Sequence, residues 1–292
     1  MVVNRSGAIP PWSLAIAAML AVQISNALSV GIIEQIGPAG TAWVRMCLGA
    51  VFLFLLVRPS LRAIRRKDVP ALIALGTVTG FMTVFFLAAI DRIPLGTAVA
   101  IEFLGPLTVA GFTSKNRKAL VWPPLALLGV ILLTEPWHGE IDALGVIFAV
   151  LAGMCWGSYN LLTQHVGDRF DGISGLALTI PVAAVATLPV GLPQVLGGNP
   201  AWWVILAAAG IALLTPVIAF GLEMLALKRM THTAFGTLLS VEPAFGVLMG
   251  VLILSQAPTL WQLIGIAIVI AAGAGAQRGG RRTLDPAPDA MA

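Results

Sequence analysis

Charge is scarce in this sequence: Asp, Glu, Lys and Arg make up 10% of 292 residues, where a water-soluble domain carries roughly a quarter. That shortage excludes a water-soluble globular protein. Titratable side chains of other kinds are also few, with three histidines, one tyrosine and two cysteines. Cys47 and Cys155 both fall inside apolar stretches, where they act as small hydrophobes rather than as a disulfide or a metal site. No apolar stretch contains an aspartate, and there is no His-Glu-x-x-His, Walker loop or Gly-x-Gly-x-x-Gly. Gly172-Ile-Ser-Gly175 matches the string of intramembrane serine proteases, but His138, His165 and His232 lie in loops or at a helix end, and a serine nucleophile needs a base. The expectation is therefore a chain that is not an enzyme and uses neither cofactor nor metal.

What is abundant is hydrocarbon: 58% of residues are hydrophobic. Crossing a ~30 Å apolar layer takes about 20 residues of helix. Hydropathy and Pro/Gly punctuation mark runs at 11–31, 39–57, 69–90, 94–112, 119–134, 143–163, 172–192, 201–226, 233–254 and 260–277, which predict an all-α membrane protein of ten transmembrane helices. The interval from Ile90 to Leu95 is short enough to force a tight hairpin. The first run has a single basic residue before it, Arg5, and no small-residue cleavage site, so it reads as a retained helix.

Fifteen of the seventeen basic residues fall on one side of such a chain, Arg92 alone falls on the other, and Arg45 lies inside a run. By the positive-inside rule both termini are then cytoplasmic. Cations bordering apolar helices face anionic lipid, so the net charge of +4 points to the bilayer and not to nucleic acid. Seven of the eight tryptophans sit near run ends, as an aromatic belt requires, and Trp156 is the deep exception.

The halves resemble each other. Leu95-Gly-Thr-Ala-Val-Ala-Ile-Glu102 lies 140 residues before Phe235-Gly-Thr-Leu-Leu-Ser-Val-Glu242, and a proline follows each glutamate, at Pro106 and Pro243. Five runs per half is an odd number, so the halves point in opposite directions. This predicts two inverted five-helix repeats, residues 1–134 and 143–277, followed by a disordered cytoplasmic tail, 278–292. Inverted repeats are typical of secondary transporters, whose site lies near the midplane.

An ionisable side chain in hydrocarbon costs at least ~2.5 kcal/mol, so each one needs a reason. Arg45, Glu102, Glu223 and Glu242 are the four. Glu102 and Glu242 lie eight or nine residues into their helices, about 12 to 14 Å deep. A carboxyl at that depth can take up a proton and release it when water arrives, or it can simply pin helices together. Glu223 lies five residues before Lys228, where snorkelling also accounts for it, and Arg45 can meet a substrate carboxylate, pair with Glu102 or reach the interface. Pro106 and Pro243 remove backbone donors beside the deep glutamates, predicting helix breaks at Glu102 and Leu239. Gln23, Ser25 and Asn26 in the first run, and Trp156, Ser158, Tyr159 and Asn160 in the sixth, can orient a small polar ligand or hydrogen-bond between helices.

Ile93 to Ala110, Cys155-Trp156 with Tyr159, Leu222-Glu-Met-Leu-Ala-Leu227 and Phe235 to Pro243 together resemble the drug/metabolite transporter superfamily, and within it the EamA-type threonine/homoserine exporters. The resemblance covers residues 11 to 277 and implies an inner-membrane carrier that exports small amino acids or related metabolites by alternating access against protons. Glu102, Pro106, Glu223, Glu242 and Pro243 fall on the family pattern, whereas Ser255-Gln256 stands where the ninth helix of the family usually closes with Gly-Glu. Export of an organic cation on the same fold, and a non-transporting scaffold, are the alternatives.

Overall fold

A computed structural model describes residues 10–59, 64–113, 120–137, 142–167, 172–198, 200–227, 229–230 and 232–279. These residues form helices: α1 Pro11–Val57, α2 Val69–Ile90, α3 Leu95–Thr113, α4 Trp122–Thr134, α5 Ala143–Gly167, α6 Gly172–Gly198, α7 Trp202–Ala212, α8 Ala219–Leu227, α9 His232–Leu239, α10 Glu242–Leu254 and α11 Leu260–Gly279. A π-helical segment, Leu213–Ile218, joins α7 to α8. Among the described residues six apolar stretches are long enough to cross a membrane, and Leu95–Val109, Trp122–Thr134 and Leu260–Ala276 are shorter. Large hydrophobic side chains stand on the outside, among them Leu55, Leu56, Trp202 and Leu206, as lipid contact requires. The expected tail begins later than residue 278, because α11 continues to Gly279; residues 280–292 lie outside the described residues.

α1 is two rods. As one straight helix its 47 residues would extend about 70 Å. Yet the Arg45 Nη1 donates to Asn26 Oδ1 at 3.2 Å, although 19 residues of straight helix would separate them by about 28 Å. The chain therefore folds back on itself between them. It does so at Gly37, whose φ of 71° and ψ of 166° are open essentially to glycine alone. The loop expected over 32–38 contracts to this residue, and the second rod begins with Pro38. A Cβ at Gly37 would collide with the Gln194 side chain of α6. Gln194 Oε1 instead accepts the Gly40 N–H at 2.9 Å, one of the donors that a helix start leaves without an intrahelical partner.

Similar chemistry starts the other helices. Prolines occupy the first turns of α1, α2, α4 and α10, where the missing N–H removes nothing. Thr259 and Gln262 form a reciprocal capping box before α11, with bonds of 3.1 and 3.2 Å. Asp142 accepts the Gly145 N–H at 2.9 Å and pairs with Arg92 at 3.2 Å, fixing the start of α5 beside the α2–α3 turn. Gln256 accepts the Leu95 N–H at 3.1 Å, so the amide in the Ser255-Gln256 departure caps α3.

The main core joins elements from both halves of the chain, with Leu87, Leu95, Val99, Ile101, Leu133 and Val269 fully enclosed. Small residues permit this closeness. α2 meets α6 at Gly76, where a Cβ would stand 2.7 Å from the Thr179 carbonyl oxygen. α3 meets α5 at Gly153, where a Cβ would stand 2.7 Å from the carbonyl oxygen of Glu102.

Candidate functional site

The first rod of α1 carries Gln23 and Asn26 three residues apart, which places them side by side on one face. Each reaches an ionisable residue elsewhere. Gln23 Nε2 donates to Glu242 Oε1 at 3.1 Å, and Asn26 Oδ1 accepts from Arg45, giving a connected row Glu242, Gln23, Asn26, Arg45. All four side chains are buried. Three of their polar atoms, Gln23 Oε1, Arg45 Nε and Glu242 Oε2, have no hydrogen-bond partner among the described residues. Buried polar atoms are almost always satisfied, so two acceptors and a donor left open in one row make it the candidate site.

Glu102 of α3 lies close enough to Arg45 and Glu242 to feel both charges. It is half-buried, with its charged neighbours on α1 and α10. Glu223 of α8 extends the set, within electrostatic range of Glu242 on one side and of Tyr159 on the other. Arg45 donates to Asn26, a partner outside the three expected alternatives, and lies within electrostatic range of Glu102.

A helix interruption borders this row. Thr215 is extended, with φ −138° and ψ 119°, and Pro216 has no N–H, so carbonyls at the end of α7 lose their helical donors. Ser25 supplies a replacement, its hydroxyl donating to the Ile211 carbonyl at 3.3 Å. Gly49, one turn beyond Arg45, makes room for Pro216: a Cβ there would lie 2.7 Å from the proline Cδ. Thr215 Oγ1 is a fourth buried atom with no partner among the described residues.

The aromatic wall is divided. Trp156 packs edge-on against Phe103 with centroids 6.1 Å apart, one residue from Glu102 along α3. Tyr159 sits instead against Leu72, Leu75 and Leu178, near Glu223. Asn160 is half-buried on α5, and Ser158 is exposed, donating to the Met154 carbonyl at 2.8 Å, so it is not part of the site.

Of the two expected helix breaks, the one at Glu102 needs correction. α3 runs unbroken through Pro106, with the Glu102 carbonyl that the proline deprives of a donor packed close against Gly153. Near Pro243 the helix is interrupted beside Leu239: α9 ends at that residue, Ser240 and Val241 form a turn, and α10 begins at Glu242. Glu242 is thus a first-turn acid, where the helix dipole favours negative charge, and Pro243 starts the helix instead of breaking it. Thr215 was not anticipated as a site residue; the Thr-Pro pair inside an otherwise apolar run was its signal. Among the described residues no group of three or more His, Cys, Asp or Glu could hold a metal ion.

The profile of the EamA-like transporter family matches residues 143–275. The threonine/homoserine exporter RhtA of Escherichia coli (strain K12) is 33% identical over 268 residues, covering 91% of this chain and 90% of that protein. RhtA of Salmonella typhimurium (strain LT2) is also 33% identical, over 270 residues with the same coverage. The pseudopaline exporter CntI of Pseudomonas aeruginosa (strain UCBPP-PA14) is 21% identical over 270 residues, covering 89% and 93%. A solved crystal structure shares the fold with a TM-score of 0.59 at 17% identity, covering 91% of this chain and 97% of that one.

Proposed function

Because the chain belongs to the EamA-like transporter family, we propose that this multi-pass membrane exporter carries small neutral amino acids of the threonine/homoserine kind outward, against protons, by alternating access. The observation that carries the reading is the buried row with its three open atoms. Glu242 Oε2 and Gln23 Oε1 accept from an ammonium group, and Arg45 Nε donates to a carboxylate, which together describe a zwitterion. Glu102 and Glu223 give the site three carboxyls against one guanidinium. Bound protons or a bound ammonium balance that excess, so substrate and proton compete for the same acids. Trp156 supplies an apolar wall beside Glu102, Tyr159 one beside Glu223, and Asn160 a further amide.

The topology in this reading is ten crossings, counting α1 as two, α7 with α8 as one and α9 with α10 as one, with both termini in the cytoplasm of an inner membrane. Residues 1–134 and 143–277 form the inverted repeats. The packing of α3 on α10 and of α4 on α11, elements in equivalent places of the two halves, supports that symmetry. The site then lies where the first helix of one half meets the fourth of the other.

The excess of carboxyls favours one other solute class, an organic cation with no carboxylate, for which Arg45 would serve only to hold the fold. Counterflow of labelled threonine and homoserine into liposomes holding the purified protein separates the readings. Saturable uptake that responds to a pH gradient is expected, and Glu242→Gln abolishes it without loss of folded protein. Uptake of a cationic dye with none of threonine would favour the second class; unchanged amino-acid flux in Glu242→Gln would remove the coupling role.

A further inference from the structure

Away from this row, an apolar groove opens sideways from the bundle. One part, about 330 Å³, lies between the end of α1, the start of α2 and α6, against Phe54, Ile64, Val69, Ile73, Leu178 and Pro181. A second, about 300 Å³, continues it along α1 and shares Phe54 and Pro181. Every residue lining both parts is apolar, so whatever occupies the groove there is hydrocarbon.

Charge gathers at one end only. Arg58 follows Phe54 by one helical turn, Arg65 adjoins Ile64, and Arg66 and Lys67 stand between Ile64 and Val69; all four are exposed. Asp68 accepts the Arg65 backbone N–H at 3.2 Å, which fixes the turn that presents them. From Arg58 back to Ala50 the wall descends about 12 Å into the apolar layer. A cationic rim above a hydrocarbon trough matches an amphiphile with an anionic head.

We propose that this groove binds one anionic phospholipid, its phosphate among Arg58, Arg65, Arg66 and Lys67 and an acyl chain along Phe54, Ile73 and Pro181. A general lipid shell would need no trough, and an aqueous anion would need no apolar wall. The site is formed by α1 and α2 on one side and α6 on the other, so the lipid bridges elements that the repeat reading assigns to different halves. It depends on the chain lying in a membrane and not on which solute is carried.

The test is native mass spectrometry of the full-length protein from micelles holding equal phosphatidylglycerol and phosphatidylethanolamine. One phosphatidylglycerol is retained, with a preference of at least about tenfold, since each cation near an anionic lipid contributes about 1 kcal/mol, or roughly fivefold. Arg65→Gln/Arg66→Gln/Lys67→Gln, all on exposed side chains, brings that preference close to one. Ile73→Trp, at a residue 51% exposed, fills the trough and lowers retention of either lipid. Excess glycerol phosphate leaves the lipid bound. Equal retention of the two lipids by the unaltered protein, an unchanged preference in the triple variant, or displacement by glycerol phosphate would each overturn the proposal.

Discussion

Gln23→Leu asks whether the row on α1 binds solute or merely holds helices. Leucine keeps the volume but removes the Nε2 that donates to Glu242 Oε1 at 3.1 Å. Because Glu242 Oε2 already has no partner among the described residues, neither oxygen of that buried carboxyl would then be met. An interhelical hydrogen bond within a membrane is worth about 0.6 kcal/mol on average and ~1.7 at most, so the loss of stability is expected to be small. The loss in binding is larger if an ammonium sits there. One acceptor disappears outright and the carboxyl loses the bond that aims it, and a hydrogen bond to a charged group is worth about 1.5–3 kcal/mol. That corresponds to a rise in KM of roughly 10- to 150-fold. Counterflow over a range of threonine concentrations measures it, with monodisperse elution as the check on folding. Gln23→Asn, one methylene shorter, recovers part of the affinity. A folded Gln23→Leu variant with KM within about twofold of the unaltered protein would refute the assignment.

Other substitutions read different parts of the structure. Gly153→Ala forces α5 off the Glu102 carbonyl, where the added methyl would stand at 2.7 Å, and lowers stability in detergent titration by about 1–3 kcal/mol; at Gly31, where nothing lies within 4 Å, the same change is neutral or stabilising. Gln256→Glu keeps the acceptor for Leu95 N–H and is tolerated, while Gln256→Leu uncaps α3 and costs about 1 kcal/mol in the same titration. The Gly145 N–H and then Arg92 hold the Asp142 carboxyl below its usual range. Its contribution to the start of α5 is therefore complete at neutral pH and is lost as pH falls through and below the ordinary aspartate value of about 3.9. Protection of the first turn of α5 against hydrogen exchange should fall in acid, and in Asp142→Ala, which has no oxygen to accept the Gly145 N–H, it should be low at every pH.

The helices were legible because lipid imposes one rule on all of them: a long uncharged run must satisfy its own backbone. Val69 to Ile90 emerges residue for residue. Glu102, Glu242 and Arg45 stood out for the same reason, since a charge in such a run is conspicuous. What each of them touches was hidden, because the Gln23 to Glu242 bond spans 219 residues and depends on how rods pack, which periodicity does not encode. The prolines show the limit most sharply. Pro106, Pro216 and Pro243 all remove a donor, yet one sits in an unbroken helix, one at an interruption and one at a helix start. Neighbours decide among those outcomes: Gly153 beside α3, Ser25 and Gly49 beside the α7–α8 break, and Gln23 beside Glu242. Thr259-Leu-Trp-Gln262, by contrast, carries its capping box openly in the chain.

The turn at Gly37 also has a consequence for how the chain enters the bilayer during synthesis. An arginine at the centre of a lone helix costs about 2.5–3.5 kcal/mol to insert. Arg45 need not enter alone, because the turn is a single residue and Asn26 belongs to the rod made just before it. The first hairpin can deliver its cation already bonded while the remainder of the chain is still on the ribosome. Glu242 arrives nearly two hundred residues later and finds its own acceptor occupied by a donor from that same early rod. The rod carrying Gln23 and Asn26 thus serves as a polar template, and Arg45 and Glu242 each enter lipid toward a partner that is already in place.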